Sequence, residues 1–337
     1  MKRLTLQQAV VASISEEMRR DPRVFHLGQS IGATFNGTMS SAKGLGAEFG
    51  EERIIDTPMS ELAMVGAGVG AAISGSRPIV QIMFAEFLSL VMAPLACDAA
   101  TIHYRSGGKA SVPIVVRTLF GTGPHRGHPE DFHSWVASVP GIKVVMPSTP
   151  KDAKGLMTAA IRDENPVVFM EHMGLYHGAR EEVPDESFSI PIGRADIKRA
   201  GKDVTVVATG MMVPMALKSA ESLKSRDIDV EVLDLRTIVP LDTEALLQSV
   251  LKTGRLVVAS ETWASGDSMA EVVATVAEQL CTRRAIPIAR VSLRPVPRPF
   301  ALSLERMVVP NEERITTAIL KTLGQLQTPD STVEEPR

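Results

Sequence analysis

Apolar residues recur along this chain with two alternating periods. Leu6, Val10, Ile14 and Met18 fall at helical spacing behind Thr5 and Gln8, a capping-box pair, and Pro22 closes that helix. RVFHLG (23–28) then predicts a short buried strand, residues 35–53 a surface loop rich in Gly, Ser and Thr, and RIIDT (53–57) a second strand. Residues 60–75 predict a buried helix, RPIVQIMF (77–84) a strand, and residues 87–105 a further helix. VPIVVRTLFG (112–121), GIKVVMP (141–147) and PVVFME (166–171) are apolar throughout, as parallel strands covered on both faces are. A capped helix over 149–163 separates the last two.

Residues 172–203 turn charged and irregular, and alternation then resumes. VTVVATG (204–210), VEVLDL (230–235), RLVVASE (255–261) and IPIARVSL (286–293) predict strands, with helices near 213–225, 243–252 and 268–281. Strand–helix alternation of this kind predicts parallel sheets wrapped by helices. The expected fold is α/β with two doubly wound domains, 1–185 and 204–326, a linker over 186–203 and a disordered polar tail over 327–337.

Composition narrows the function. The 337 residues carry a formal charge of only −3, without the concentrated basic face of a nucleic-acid binder. Cys97 and Cys281 form no CxxC, which argues against a disulfide framework and a zinc site. Glu16, Glu17, Arg19 and Arg20 interrupt any signal-peptide core, and the longest apolar run, 62–75, is glycine-rich and short for a membrane span. A soluble, cytoplasmic protein is expected.

Candidate chemistry starts at IIDTPMSE (54–61), which ends on a single carboxylate, Glu61, before LAMVGAGVGAAISG. An acid there is either a helix-terminal charge of little consequence or a proton handler in a dry pocket. GAGVG lies inside a helix, and no strand-linked GxGxxG or P-loop lysine motif is present, so a nucleotide-binding regulatory module is disfavoured.

Six ordered strings decide between the two readings of Glu61. FGEERIIDTPMSELAMVGAGVGAAISGSRPI, YRSGG, VPIVVR, PGIKVVMPSTPKDAKGLMTAAIRDENPVVFME, LDLRTIVPLD and KTGRLVV together resemble the β subunit of thiamine-dependent 2-oxo acid dehydrogenases, the pyruvate, branched-chain and acetoin enzymes, over about residues 4–325. The resemblance implies a transketolase-type pyrimidine-binding domain followed by a transketolase C-terminal-like domain. It makes Glu61 the acid that hydrogen-bonds the aminopyrimidine of thiamine diphosphate, with Met83 and Phe87 lining that pocket. Ordinary core packing is the plain alternative for Met83 and Phe87.

The same resemblance implies an active-site histidine a dozen residues before PGIKVV. Within GHPEDFHSW the spacing selects His128, while the HS dipeptide selects His133; spacing across a helix start is harder to change, so His128 is preferred. Its role would be to steady the 2-oxo carboxylate or hand the acyl group onward, work suited to a group titrating near neutrality. A solvated loop histidine is the competing reading, and a zinc cluster of His125, His128 and His133 is disfavoured by the PED neighbours and the lack of cysteine. Ile114, Ala160, Ile161, Asp163 and Asn165 match positions where some relatives hold potassium through mainly backbone carbonyls; a helix C-terminus satisfied by water and side chains is the alternative.

One absence shapes the functional reading. No GDG magnesium motif occurs, so the chain is expected to hold only the pyrimidine half of a site. The diphosphate and magnesium half would come from an α subunit in an α2β2 assembly, with the glycine-rich helix after Glu61 suited to close subunit packing. The expected activity is cleavage of a C–C bond next to a carbonyl, with transfer of the acyl group to a lipoyl-bearing acyltransferase. A non-oxidative carboligase or transketolase-like subunit and a degenerate scaffold are the alternatives. Departures from the family pattern at Gln29, Ser30, Ala93-Pro94, HPED (128–131) and Pro295 leave the substrate open.

Overall fold

The computed structural model describes residues 1–123, 127–282 and 284–326. The expected tail and His125 lie outside the described residues. The chain divides into two compact units.

The first unit, Met1–Ala195 with Thr209–Met211 and Leu235–Asp242, is built on a seven-stranded sheet. Its strands run in the order Thr237–Val239, Lys143–Val145, Val167–His172, Val115–Phe120, Arg77–Phe84, Val24–Gln29 and Ile54–Thr57; all pair in parallel except the first. Helix Leu6–Arg20 opens with the expected capping box, Thr5 and Gln8 bonding each other's backbone. Helix Pro150–Arg162 starts on Thr149, whose hydroxyl accepts from the Asp152 N–H, with Pro150 where no donor is needed. These two helices pack together on one face, where Leu6, Val10, Ile14, Leu156 and Met157 share a core with Ile79, Val115 and Val167 of the sheet. Neighbouring strand residues point to opposite faces, and Val80 faces helix Glu61–Ile73. A Cβ on Gly68 would stand 2.6 Å from Val80 Cγ2 and 3.0 Å from Ile114 Cδ1, so only glycine lets this helix lie so close to the sheet.

Four expectations need correction. Residues 35–53 are more than a surface loop: a 3-10 turn (Thr38–Ser40) and a helix (Leu45–Phe49) form there, and Ser41, Ala42 and Leu45 are buried. Ala42 and Leu45 fill an apolar gap beside helix Leu6–Arg20, while Ser41 has polar partners beneath it. Helix Glu61–Ile73 is buried on one side only; Leu62, Ala63, Gly66, Ala67, Gly70 and Ile73 face outward. The longest apolar helical stretch is Ala85–Arg105, whose 21 residues and mean hydropathy of 1.5 suffice by length and composition to cross a membrane. Here it connects two parallel strands and packs on helix Glu61–Ile73 as a sheet crossover. Pro94, which lacks an N–H, opens a wide π-helical segment at Ala93–Ala99 within it. Finally, the irregular stretch after 172 contributes strands: Glu181–Val183 pairs with Lys2–Leu4, and Asp196–Arg199 belongs to the second unit's sheet.

The second unit carries a five-stranded sheet in the order Ile288–Leu293, Leu256–Trp263, Val204–Ala208, Val230–Asp234 and Asp196–Arg199, with only the last strand antiparallel. Helices Met212–Leu223, Thr243–Thr253 and Ala270–Leu280 alternate with its strands as expected. Helices Leu302–Val308 and Glu312–Thr322 close the unit and have no counterpart in the sequence reading. Val206, Val232 and Val257 of the sheet and Ile315 and Ile319 of the last helix are fully buried.

Candidate active site

In the first unit the strands Val24–Gln29 and Arg77–Phe84 are neighbours whose onward connections leave opposite faces of the sheet. The connection after Gln29 buries Ile31, Ala42 and Leu45 with the helices Leu6–Arg20 and Pro150–Arg162. The connection after Phe84 packs instead on helix Glu61–Ile73. Such a reversal opens a crevice at the carboxyl ends of the strands, the place where open α/β sheets bind ligands. Met83 lies at the end of one of these strands with Glu86 and Phe87 in the turn just beyond it, Gln29 ends the other, and Glu61 begins the helix that enters from this same edge.

Glu61 is half-buried and forms no hydrogen bond or ion pair with any described residue. Its neighbour Ser60, at the cap position, makes no side-chain capping bond either. Met83 and Phe87 are half-buried and rest against the main core, so each combines core packing with an accessible apolar surface. A carboxylate bonded to no described residue, at the same sheet edge as partly open apolar side chains, can share a proton with a ligand nitrogen where water is scarce.

The structure separates the two candidate histidines. The His133 side chain is only 3% exposed and its Nδ1 lies 3.1 Å from Asp131 Oδ2. The His128 side chain is 42% exposed, stacks on Phe84 at 4.7 Å between ring centres, and tilts against Phe87 at 5.2 Å. Its Nδ1 lies 2.9 Å from Glu86 Oε2. The other Glu86 oxygen accepts the Glu130 N–H at 3.3 Å. His128 and Phe87 therefore meet, and a carboxylate that the sequence did not single out, Glu86, joins them. The available signal was an acid inside the aromatic string MFAEF at the carboxyl end of a strand. Among the described residues no three His, Cys, Asp or Glu side chains form a metal-binding group.

After Gln29 the chain runs into the segment 30–44. Ser30, Asn36, Met39 and Ser40 all have positive φ, between 53° and 63°, a backbone region that side chains other than glycine seldom occupy. The strain is held by buried polar contacts. Arg117 donates to the Ser41 carbonyl at 2.8 Å, Gln81 to the Ser41 hydroxyl at 2.6 Å, and Gln7 to the Ser40 carbonyl at 2.5 Å. Arg117 is fixed in turn by a two-pronged pair with Glu171, both bonds 2.8 Å, and by the Tyr176 hydroxyl at 3.1 Å. Burial opposes the arginine's charge, yet Glu171 and Tyr176 hold its pKa above the usual value. Burial, then the Glu171 charge, pushes the Tyr176 phenol well upward. Beneath the segment, burial and the Arg117 charge keep His26 neutral, far below the usual histidine range.

The five positions matched to potassium gather at the opposite, amino edge of the sheet. Four of their carbonyls already have partners. The Arg77 guanidinium donates to Ile161 O at 3.0 Å and to Asp163 O at 3.1 Å, and pairs with Glu164. Ile114 O accepts from the Val167 N–H and Ala160 O from the Asp163 N–H. The Asp163 carboxylate takes Lys143 at 2.5 Å and the Asn165 N–H at 2.9 Å. A resident guanidinium thus meets the need of two of these carbonyls for a cation.

Comparison with known proteins agrees with the two-domain α/β fold. The pyrimidine-binding domain of transketolase matches residues 2–178, and the transketolase C-terminal domain matches residues 193–315. The chain is 41% identical to the 2-oxoisovalerate dehydrogenase subunit beta of Bacillus subtilis (strain 168), over 92% of this chain and 96% of that one. It is 39% identical to the pyruvate dehydrogenase E1 component subunit beta of the same organism, covering 96% and 99%. Identity is 40% to the acetoin:2,6-dichlorophenolindophenol oxidoreductase subunit beta of Cupriavidus necator, covering 96% and 98%. Among solved structures, a split-gene transketolase described as an inactive beta4 tetramer superposes with a TM-score of 0.79 over 97% of this chain and all of that one, at 21% identity, a likeness of fold. With both domains matched in order and relatives this similar along nearly the whole length, the chain belongs to the β subunits of thiamine-dependent 2-oxo acid dehydrogenases.

Proposed function

We propose that this β subunit supplies the pyrimidine half of a thiamine diphosphate site whose diphosphate and magnesium half comes from an α subunit in an α2β2 assembly. The observation that carries the reading is Glu61: a carboxylate at the crevice, bonded to no described residue, at the head of a helix packed on the strand that carries Met83. The donor set suits the organic ring of the cofactor. One acid is available to share a proton with a ring nitrogen, Met83 and Phe87 can cover an aromatic face, and among the described residues no cluster of His, Cys, Asp or Glu competes for a metal. When bound, the cofactor supplies the carbanion chemistry that cleaves a C–C bond next to a carbonyl.

The chain's own residues would hold and move protons around that chemistry. Glu61 keeps a proton at its carboxyl for the pyrimidine ring, a general-acid role favoured by exclusion of water. His128 presents its outer nitrogen toward the carboxylate of a 2-oxo acid or the acyl group leaving the site. The acceptor is a lipoyl group on a partner acyltransferase, and the cytoplasm is the proposed compartment. Potassium at 114 and 160–165 would have to share carbonyls with Arg77, so no step is assigned to it.

The test is thiamine diphosphate binding by calorimetry with magnesium, on the chain alone and co-purified with its α partner. Binding only in the heteromer, weakened by Glu61→Ala, is expected. An intact heteromer that binds no cofactor would leave a scaffold role in its place.

A further inference from the structure

Glu86 has no part in the reading above, yet its geometry gives it one. It sits in the turn just after strand Arg77–Phe84 and is held from both sides: one carboxylate oxygen faces His128 Nδ1 and the other accepts the Glu130 N–H. We propose that Glu86 is a positioning residue for His128, locking the imidazole with its proton on Nδ1 and leaving Nε2 as a bare acceptor toward the crevice. The proposal rests on the reading of His128 as the site's histidine.

The chemistry follows from the donor inventory. An ionised carboxylate only accepts, so a neutral imidazole 2.9 Å away must carry its hydrogen on the nitrogen that faces it. The remaining nitrogen, Nε2, makes no hydrogen bond with a described residue. Orientation is fixed as well as tautomer. The ring is stacked on Phe84 with planes 22° apart and braced by Phe87 at 57°, so rotation about its side-chain bonds would break the stack and the charged bond together. Because Glu86 also holds the Glu130 N–H, it ties the segment carrying His128 to the end of the strand that carries Met83. A histidine whose second nitrogen is held by a carboxylate has a set tautomer and direction, the usual arrangement where an imidazole must accept a proton or a ligand atom.

Glu86→Gln keeps shape and length but replaces an obligate acceptor with an amide that can donate or accept. In the full chain labelled with 15N-histidine, the wild-type His128 signals should show the Nδ1–H tautomer, and Glu86→Gln should give a mixture. In the assembled enzyme Glu86→Gln should lower kcat roughly 10- to 100-fold with little change in KM, the scale of one charge-assisted hydrogen bond. On a His128→Gln background the same change should cost nothing further, because Glu86 acts through the ring. Glu86→Asp, which keeps the acceptor, should restore part of the loss and most of the tautomer preference.

A His128 ring that stays in the Nδ1–H form in Glu86→Gln overturns the proposal whatever the kinetics. So does an equal loss from Glu86→Gln with and without His128. If His128→Gln retains full turnover while the tautomer still shifts in Glu86→Gln, the role given to His128 fails and the positioning by Glu86 stands.

Discussion

At the amino edge of the seven-stranded sheet, charges are matched. Arg77 meets two carbonyls and Glu164, Lys143 meets Asp163, and the Asn165 N–H turns back to the same carboxylate. At the carboxyl edge some groups are left open. Glu61 is bonded to no described residue, His128 Nε2 makes no hydrogen bond with a described residue, and four non-glycine residues between 30 and 40 hold a disfavoured backbone conformation. Open polar groups and strained backbone cost stability and persist only where the surroundings impose them. Here the surroundings are visible in the buried Arg117–Glu171 pair and its grip on Ser41. On the proposed function, the amino edge serves stability and the carboxyl edge serves chemistry.

Glu61→Gln should break the comparison most sharply if it is wrong. In the enzyme assembled with its α partner, we expect turnover to fall about 10²- to 10⁴-fold, the range for losing a general acid. The melting temperature should hardly move, because no described residue loses a partner. Turnover like that of the wild type would remove Glu61 from catalysis. Arg117→Met comes next, since it leaves the Glu171 carboxylate buried without its cation. A loss of about 3–5 kcal/mol is expected from urea unfolding, together with faster proteolysis within 36–44, which loses its anchor. If stability falls but that segment stays protected, the clamp is not what holds it.

Arg77→Met tests the other edge. Removing charged hydrogen bonds to two carbonyls should cost about 1–3 kcal/mol, with kcat unchanged. Melting in potassium and in sodium chloride separates the two ways of satisfying the turn. We expect the variant to lose the same stability in both salts. Recovery in potassium alone would show that an ion competes with the guanidinium for those carbonyls.

The two edges were not equally legible in the sequence. The sheet itself could be read because buried parallel strands such as VPIVVR carry continuous apolar runs, and helix starts such as Thr149-Pro150 carry their own capping chemistry. Glu61 stood out because a lone acid before an apolar run is rare enough to ask about. The partners of side chains were hidden. Glu86 and His128 are 42 residues apart and meet only because two strand ends converge. Arg77 reaches across to 161–163 in the same way, so a run of backbone carbonyls looked open to an ion when an arginine was already there. Segment 30–44 resembled a surface loop because Gly, Ser and Asn favour turns, while its burial depends on Arg117 and Gln81, far along the chain.

The smallest predicted effect concerns His26, which lies within its strand on the Arg117 side of the sheet. Burial and the nearby arginine lower its pKa in the folded chain, while the unfolded chain titrates near the ordinary value of about 6.5. Below that value the unfolded state binds a proton that the folded state refuses, so stability is full above pH 6.5 and declines as the pH falls toward the folded-state pKa. The slope contributed by this one group is at most about 1.4 kcal/mol per pH unit. Urea unfolding at pH 7.5 and 5.5 should therefore show a larger acid loss in the wild type than in His26→Gln; equal losses would take His26 out of the account. Hydrogen exchange can then tell the edges apart. As pH falls, the amides of 38–44 should open before those of 160–165, because the Arg117 clamp feels a proton on His26 directly, whereas the amino edge is held by its own ion pairs.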